Sequence, residues 1–228
     1  MTADPDLLAQ LAGGLVVSCQ ARVDNPLHGP RYMSAMAQAA ELGGAAGIRA
    51  EGAADVSAIK REVRLPIIGI RKDFAAGEVY LTPTLDDALE VWQAGADIIA
   101  LDATDRPRIS GWPASRLITE VRQACGCPVM ADIDSLASGI AAAEAGAALV
   151  ATTLSGYTGG PTPDEADYEL IEQLAAREIR VVAEGRIRTG GDARRAFDAG
   201  AYAVVIGTAI TNPWRITERI ISSLGGDY

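Results

Sequence analysis

The sequence predicts a single-domain α/β protein in which eight parallel strands close into a barrel surrounded by helices. The first observation is a series of eight short runs, each continuously apolar, as expected of parallel strands covered on both faces. The second is that helix-like segments separate the runs, and the third is that no linker or low-complexity block interrupts them. The runs span residues 14–18, 45–50, 66–70, 97–102, 128–133, 148–153, 180–185 and 203–208.

The length of 228 residues fits one (β/α)8 TIM barrel, a fold that typically needs about 250 residues. We therefore expect residues 1–228 to form one domain, with residues 1–13 as an N-terminal helix that closes the barrel bottom. An open, doubly wound sheet is the alternative. It would usually show a glycine-rich turn after its first strand, whereas "SCQARVDNPLHG" is polar and lacks that fingerprint.

Helix boundaries are marked by capping residues. Four runs follow segments ending in glycine and alanine, such as "WQAGAD" and "FDAGAY", and glycine in the left-handed conformation ends a helix cheaply. Thr84 with Asp87 three residues later predicts a helix start, as does Asp134-Ser135 ahead of "LASGIAAAEAG". The alternation of runs and helices predicts repeated βα units.

Composition excludes several classes of function. A formal net charge of −10 without a basic patch argues against nucleic acid and anionic membrane as partners. No apolar run approaches the roughly 20 residues that span a bilayer, and the first residues do not resemble a signal peptide, so we expect the cytoplasm. Three cysteines and one histidine, His28, predict neither a disulfide framework nor a metal site.

Chemistry-bearing residues collect where the runs end, which in such barrels is the active-site face. The opposite ends of the runs carry proline, glycine, alanine and Asp97. The residues at the carboxyl ends are Cys19, Gln20, Arg49, Arg71, Lys72, Asp102, Asp132, Thr152, Thr153, Glu184, Gly207 and Thr208. Any single member is explained equally well by a solvated loop charge or a salt bridge, but the complete ring favours a catalytic site.

A lysine and a glutamate across one barrel mouth suit proton transfer at a carbon next to a carbonyl. Burial lowers the pKa of a lysine toward that of a useful base, and a carboxylate opposite it can move protons on sugar oxygens. Arg49 is placed to polarise an oxygen on which negative charge develops. The last two loops, "AEGRIRTGG" and "VVIGTAITNP", predict a phosphate seat, because glycine amides there can bind an anion, with Arg186 or Arg188 assisting.

The chain resembles the N-acetylmannosamine-6-phosphate 2-epimerase family. The resemblance rests on "GLVVSCQA", "GGAAGIRA", "LPIIGI", "TPTLDD", "AGADIIALDAT", "TTLSGYT", "AEGRI" and "VVIGTAIT", which occur in order along nearly the whole chain. It implies a phosphate-binding TIM barrel that interconverts N-acetylmannosamine 6-phosphate and N-acetylglucosamine 6-phosphate in sialic-acid breakdown. It also implies no metal, no organic cofactor and a homodimer.

The resemblance assigns roles to individual residues. Lys72 would exchange the proton on the carbon that bears the acetamido group, and Glu184 would assist ring opening. The residues implied at the sugar are Gln20, Arg49, Asp132, Thr153 and Tyr157. Those implied at the phosphate are Gly185, Arg186, Gly207 and Thr208.

Two departures from the family pattern bear on these roles. "IRKDF" has one residue fewer after the lysine, so that counting backward from "VYLT" places Arg71 in the catalytic position. Counting forward from Pro66 places Lys72 there, and we favour this count because strand residues keep their register while loops absorb deletions. In "AITNP", Asn212 stands where family members commonly carry arginine.

Two other functions remain compatible with the sequence. Lys72 could act as a Schiff-base nucleophile, which would make the protein an aldolase acting on a phosphorylated sugar. Alternatively, the altered lysine loop could belong to a non-catalytic protein that only binds phosphosugars. Borohydride trapping would distinguish the first, and ligand-induced thermal stabilisation without isotope exchange the second.

Overall fold

Eight parallel strands pair in sequence order and close into a barrel, because β8 pairs with β1. The computed structural model describes residues 5–225. The strands are β1 (Leu15–Cys19), β2 (Gly47–Glu51), β3 (Ile67–Ile70), β4 (Ile98–Asp102), β5 (Val129–Asp132), β6 (Leu149–Ala151), β7 (Val181–Glu184) and β8 (Ala203–Ile206). The chain is therefore a single-domain (β/α)8 TIM barrel, as the sequence predicts.

Helices alternate with the strands around the outside of the barrel. They are α1 (Pro5–Ala9), α2 (Pro30–Leu42), α3 (Gly52–Glu62), α4 (Leu85–Gln93), α5 (Ala114–Cys125), α6 (Leu136–Glu144), α7 (Tyr168–Ala175), α8 (Gly190–Asp198), α9 (Thr208–Thr211) and α10 (Pro213–Ser223). Single 3-10 turns follow β3, over Phe74–Ala76, and β6, over Thr152–Leu154. Within residues 5–225, no helix combines the length and apolar character that crossing a bilayer requires.

The core has two layers because strand side chains alternate between the two faces of the sheet. One face packs against the helices, and its residues include Ile48, Ile99 and Val181. The other face fills the barrel interior with residues such as Ile68 and Met130. Both faces are dry, which explains why each strand reads as a continuous apolar run.

The predicted helix starts at Thr84 and Ser135 are confirmed. The Thr84 hydroxyl accepts a hydrogen bond from the Asp87 amide, and the Asp87 carboxylate accepts one from the Thr84 amide. Ser135 and Ser138 make the same reciprocal pair at the start of α6. Among the predicted glycine stops, Gly95 after α4 has a φ of 108°, and a Cβ there would lie 3.0 Å from the Lys60 side chain.

At the amino ends of the strands, α1 and the turn after it contact the barrel interior. Leu8 and Leu11 are buried in the same cluster as the inward-facing strand residues. The Tyr202 hydroxyl donates to the Leu8 carbonyl at 2.8 Å, and the Gly13 amide donates to the Tyr202 carbonyl at 2.8 Å. Residues 1–4 lie outside the described residues, and closure of the barrel bottom by residues 1–13 stays a prediction.

The strand predicted over 148–153 ends earlier, at Ala151. Thr152 then starts a 3-10 turn, and its hydroxyl donates to the Glu184 carbonyl at 3.0 Å and accepts from the Glu184 amide at 3.1 Å. The two hydrogen bonds of the Thr152 hydroxyl take the place of the backbone hydrogen bonds that would continue the pairing of β6 with β7. The β6 chain turns away there and brings Thr153 to the barrel mouth.

Candidate active site

A cavity of about 620 Å³ opens at the carboxyl ends of the strands. Ten of the eleven residues predicted for catalysis, sugar and phosphate line it. They are Gln20, Arg49, Lys72, Thr153, Tyr157, Glu184, Gly185, Arg186, Gly207 and Thr208. The eleventh, Asp132, is fully buried behind the cavity wall and contacts two of its members. The predicted residues therefore come together in one place.

Arg49 is the centre of a buried polar network on the inner wall of the cavity. One guanidinium nitrogen donates to Asp132 Oδ2 at 2.5 Å, and the other donates to Glu184 Oε2. The Thr153 hydroxyl donates to Asp132 Oδ1 at 2.6 Å and lies 3.3 Å from the Arg49 guanidinium. We call Arg49, Asp132, Thr153 and Glu184 the inner network.

Burial differs within the inner network and decides which member meets a ligand. The side chains of Arg49 and Asp132 are 1% and 0% exposed, whereas that of Glu184 is 16% exposed. A substrate in the cavity therefore meets the Glu184 carboxylate before either of the other charges. Asp132 acts from behind, by orienting Arg49 and Thr153.

The inner network contains two carboxylates and one guanidinium, and this ratio affects protonation. Burial raises the pKa of Glu184 above its ordinary value, and Asp132 adds to that rise while Arg49 opposes it. Burial likewise raises the pKa of Asp132, again against the effect of Arg49. Burial opposes the charge on Arg49, but the two carboxylates outweigh it and raise the pKa of Arg49. Glu184 thus takes up a proton more readily than an exposed glutamate, which suits acid–base work.

Lys72, and not Arg71, lines the cavity. Ile68 and Ile70 of β3 face the barrel interior, and the two-residue period carries Lys72 to the same side. Arg71 points to the outer side, where its guanidinium lies 3.2 Å from Glu90 of α4 and 3.6 Å from Glu51. The forward count from Pro66 agrees with this placement.

The surroundings of Lys72 favour its neutral form. Burial lowers the pKa of its amine below the ordinary value; Glu51 and Glu184 oppose that shift, and Arg49 adds to it. The backbone of Lys72 pairs with Leu81 in an antiparallel bridge, so residues 71–82 leave and return to the barrel mouth as a short hairpin. Tyr80, which sequence reasoning missed, reaches the cavity wall through this hairpin.

Arg186 and its neighbours line the part of the cavity beyond β7. The Arg186 backbone has a φ of 59°, and its guanidinium donates to the carbonyls of Glu165 at 2.5 Å and Ser155 at 2.6 Å. The same guanidinium lies over the ring of Tyr157, at 5.2 Å from its centroid. Arg186 therefore holds the long loop after β6 against the loop after β7, and much of its donor capacity is used there.

Gln20 and Ser18 lie on the opposite wall, at the end of β1. The Gln20 side-chain amide donates to the Ser18 hydroxyl at 2.8 Å, and both residues line the cavity. Ser18 was missed, although it lies two residues before Gln20 and the strand period was a usable signal. Gly207 and Thr208 complete the wall at the end of β8.

Five members of the predicted ring do not line the cavity: Arg71, Asp132 and Thr152, described above, and also Cys19 and Asp102. Cys19 faces the helix layer, and Asp102 accepts hydrogen bonds from the Thr104 hydroxyl at 2.7 Å and the Arg106 guanidinium at 2.6 Å. Asp102 therefore orders its own loop. Within residues 5–225, no cluster of histidine, cysteine and acidic side chains could hold a metal ion.

A closed parallel barrel with acid–base residues at its carboxyl ends is the arrangement found in characterised TIM-barrel enzymes, and the chain belongs to that class. A family model described as "Putative N-acetylmannosamine-6-phosphate epimerase" matches residues 33–225. The chain belongs to the N-acetylmannosamine-6-phosphate 2-epimerase family, which confirms the resemblance noted in its sequence.

Individual relatives extend the match to nearly the whole chain. A protein of Cutibacterium acnes named "Putative N-acetylmannosamine-6-phosphate 2-epimerase" is 50% identical over 92% of this chain and 93% of its own. A protein of the same name from Caldanaerobacter subterraneus is 46% identical, and the match covers 95% of this chain and 93% of that relative. The solved structure of the N-acetylmannosamine-6-phosphate 2-epimerase from Clostridium perfringens superposes with a TM-score of 0.90, at 43% identity over 95% of each chain.

Proposed function

We propose that the protein interconverts N-acetylmannosamine 6-phosphate and N-acetylglucosamine 6-phosphate, without a cofactor, as a step of sialic-acid breakdown. The observation that carries the proposal is the presence of Lys72 and Glu184 on the wall of one cavity, with the buried Arg49 bound to Glu184. The family and the names of its members supply the substrate.

In this proposal Lys72 removes the proton from the carbon that bears the acetamido group in the open-chain aldehyde. A proton next to a carbonyl leaves as the electrons move into an enolate, and return of a proton to the other face gives the epimer. A neutral amine is required as the base, and burial of Lys72 lowers its pKa in the direction that supplies one. The rate should therefore rise with pH until Lys72 is deprotonated.

Glu184 is proposed to move protons on the sugar oxygens during ring opening. Burial raises its pKa, and this shift favours the protonated form that can act as an acid before the carboxylate acts as a base. Arg49, oriented by Asp132, keeps the carboxylate in place, and its Nε–H is a buried donor without a partner among the described residues. Arg49 lines the cavity, and its positive charge would polarise an oxygen of the substrate on which negative charge develops.

The remaining wall is proposed to bind the rest of the substrate. Gln20, Thr153 and Tyr157 would contact the sugar and acetamido groups. Gly185, Arg186, Gly207 and Thr208 would surround the phosphate, at the position after β7 and β8 where such barrels usually bind one. Arg186 would act chiefly by ordering this wall, because its side chain is bonded to Ser155 and Glu165.

The experiment that tests the proposal is incubation with N-acetylmannosamine 6-phosphate in deuterated water, followed by proton NMR. We expect deuterium at the acetamido-bearing carbon together with N-acetylglucosamine 6-phosphate. Lys72→Ala should abolish both, while Arg71→Ala, which changes the adjacent cation on the outer face, should retain most of the rate. Exchange that survives in Lys72→Ala, or a folded wild-type protein that exchanges nothing, contradicts the proposal.

A homodimer is also part of the proposal. Helix α10 has no buried residue, and its apolar side chains Trp214, Ile220 and Ile221 and the following Leu224 are exposed at 42%, 53%, 37% and 78%. Exposed apolar patches of this kind usually mark an interface, and a second copy is the commonest occupant. In sedimentation velocity, Ile220→Asp should yield monomers, whereas Ile109→Asp, at an exposed site after β4, should not.

The cytoplasm is the proposed compartment. All three cysteines are free thiols, although Cys125 and Cys127 are close in sequence. Free thiols suit a reducing compartment.

A further inference from the structure

Two arginines on the cavity wall, one of them suggested by the sequence as an assistant at the phosphate seat, carry guanidinium groups that the rest of the described structure leaves unpaired. Arg188, in the loop after β7, and Arg219, on α10, both line the cavity. Both side chains are exposed, and neither guanidinium has an ion-pair or hydrogen-bond partner anywhere in residues 5–225. We call these two residues the rim arginines.

The other arginines near this wall already have partners within the protein. Arg186 donates to two backbone carbonyls. Arg215, one turn before Arg219 on α10, pairs with Glu218 at 2.7 Å and does not line the cavity. Arg195 pairs with Glu165 at 2.8 Å, also outside the cavity. Among the arginines that line the cavity, Arg188 and Arg219 are thus the two without a partner in residues 5–225.

Two hydrogen bonds fix the start of α10, the helix that carries Arg219. The Thr211 hydroxyl donates to the Ser18 carbonyl of β1 at 2.7 Å, which ties the end of α9 to the barrel. Asn212 then caps α10, because its side-chain oxygen accepts from the Arg215 amide at 3.3 Å. Asn212 lines the cavity but is neutral and occupied by this cap. Any positive charge on this side must come from elsewhere.

We propose that Arg188 and Arg219 together bind the phosphate of the substrate from two sides and make the enzyme selective for phosphorylated sugars. This inference rests on the function proposed above and adds the residues that select for the phosphate. The phosphate carries nearly two negative charges, and the protein has a formal net charge of −10, so long-range repulsion must be overcome locally. Two guanidinium groups that each bind phosphate oxygens bidentately supply that local attraction.

The test compares Arg188→Gln, Arg219→Gln and the double variant with wild type and with Arg215→Gln. Arg215→Gln removes the same charge from the same helix but from a paired arginine outside the cavity. KM and kcat are measured for N-acetylmannosamine 6-phosphate and for unphosphorylated N-acetylmannosamine. We expect each rim variant to raise KM for the phosphorylated sugar about tenfold, with kcat and the unphosphorylated sugar unaffected. Arg215→Gln should remain within twofold of wild type.

A second measurement uses inorganic phosphate alone and separates this inference from the proposed function. Phosphate should raise the Tm of wild type and of Arg215→Gln but not that of the double variant. If wild type shows this stabilisation but does not epimerise the sugar phosphate, the proposed function fails and the phosphate site stands. If the double variant retains phosphate stabilisation, or if KM rises equally for both sugars, the rim arginines do not bind the phosphate.

Arg219 lies on the helix proposed as an interface, so the oligomeric state of each variant is compared by sedimentation velocity. Arg188 lies in the loop after β7, and its variant tests the inference without changing α10. A normal KM in Arg188→Gln together with dissociation of Arg219→Gln would overturn the two-arginine site.

Discussion

The inner network and the rim arginines lie on one cavity but use positive charge in opposite ways. Arg49 is 1% exposed and bound to two carboxylates, whereas Arg188 and Arg219 are exposed and have no partner in the described chain. A buried charge must be neutralised, since desolvation costs several kcal/mol per ion, while an exposed one is solvated by water. The inner network is therefore already hydrogen-bonded within the protein, and the rim arginines are free to bind an anion.

This difference also separates chemistry from recognition. Proton transfer needs groups held within hydrogen-bond distance and at shifted pKa values, which burial provides. Recognition of a phosphate needs cations whose N–H donors are free. A buried cation would instead use its donors in ion pairs within the protein.

Arg49→Leu should have the largest effect, because it leaves Asp132 and Glu184 buried without a cation. We expect a loss of about 3–5 kcal/mol in the free energy of unfolding at pH 8. The loss should be smaller at pH 5. The pKa values of Asp132 and Glu184 are raised in the folded state, so these carboxyls bind protons there more readily than in the unfolded chain, and the free energy of unfolding falls as pH rises. Urea unfolding at both pH values measures this, and Arg188→Leu is the control. An equal loss at the two pH values would mean that the unpaired carboxylates are not the cause of the lost stability.

Glu184→Gln should keep the fold but remove the proton-transfer group. The amide has the same shape as the carboxylate and lies at the same place, but it cannot exchange a proton at neutral pH. We expect kcat to fall about 10²- to 10⁴-fold. Glu90→Gln changes a glutamate that is paired with Arg71 outside the cavity, and its kcat should stay within twofold of wild type. Comparable losses in both variants would remove Glu184 from the mechanism.

Thr153→Val should have an intermediate effect, because Thr153 acts through its hydrogen bonds to Asp132 and Glu184. These hydrogen bonds lower the pKa values of both carboxyls, so loss of the Thr153 hydroxyl should raise the pKa values of Asp132 and Glu184. We expect kcat to fall about tenfold, at the low end for loss of a positioned hydrogen bond, and the pH limb of Glu184 to move upward. Thr153→Ser should restore both; a fall in kcat without a shifted pH profile would indicate damage to packing.

Ionic strength should have the smallest effect and should act only at the rim. Exposed charges are screened, since the Debye length falls from about 30 Å at 0.01 M to about 8 Å at 0.15 M salt. We expect KM for the sugar phosphate to rise about threefold over that range, while kcat and the unphosphorylated sugar remain unchanged. A salt-dependent kcat would mean that the inner network is more open to solvent than its burial indicates.

Sequence reasoning succeeded where local pattern decides the outcome. The eight apolar runs coincide with the eight strands, and the forward count from Pro66 favoured Lys72, which lines the cavity, over Arg71, which does not. Reasoning failed at the end of β6, because the Thr152 hydroxyl bonds to Glu184, 32 residues away. A contact of that range leaves no periodic signal.

The barrel, the order of its strands and the type of residue at each strand end follow from the sequence alone. Apolar runs and helix caps specify these features through neighbouring residues alone. Three features required the three-dimensional structure: Asp132 lies behind Arg49, Arg186 is bound to backbone carbonyls, and Arg219 lines the cavity. The physical reason is closure of the barrel, which brings together residues far apart in sequence and settles which charges find partners.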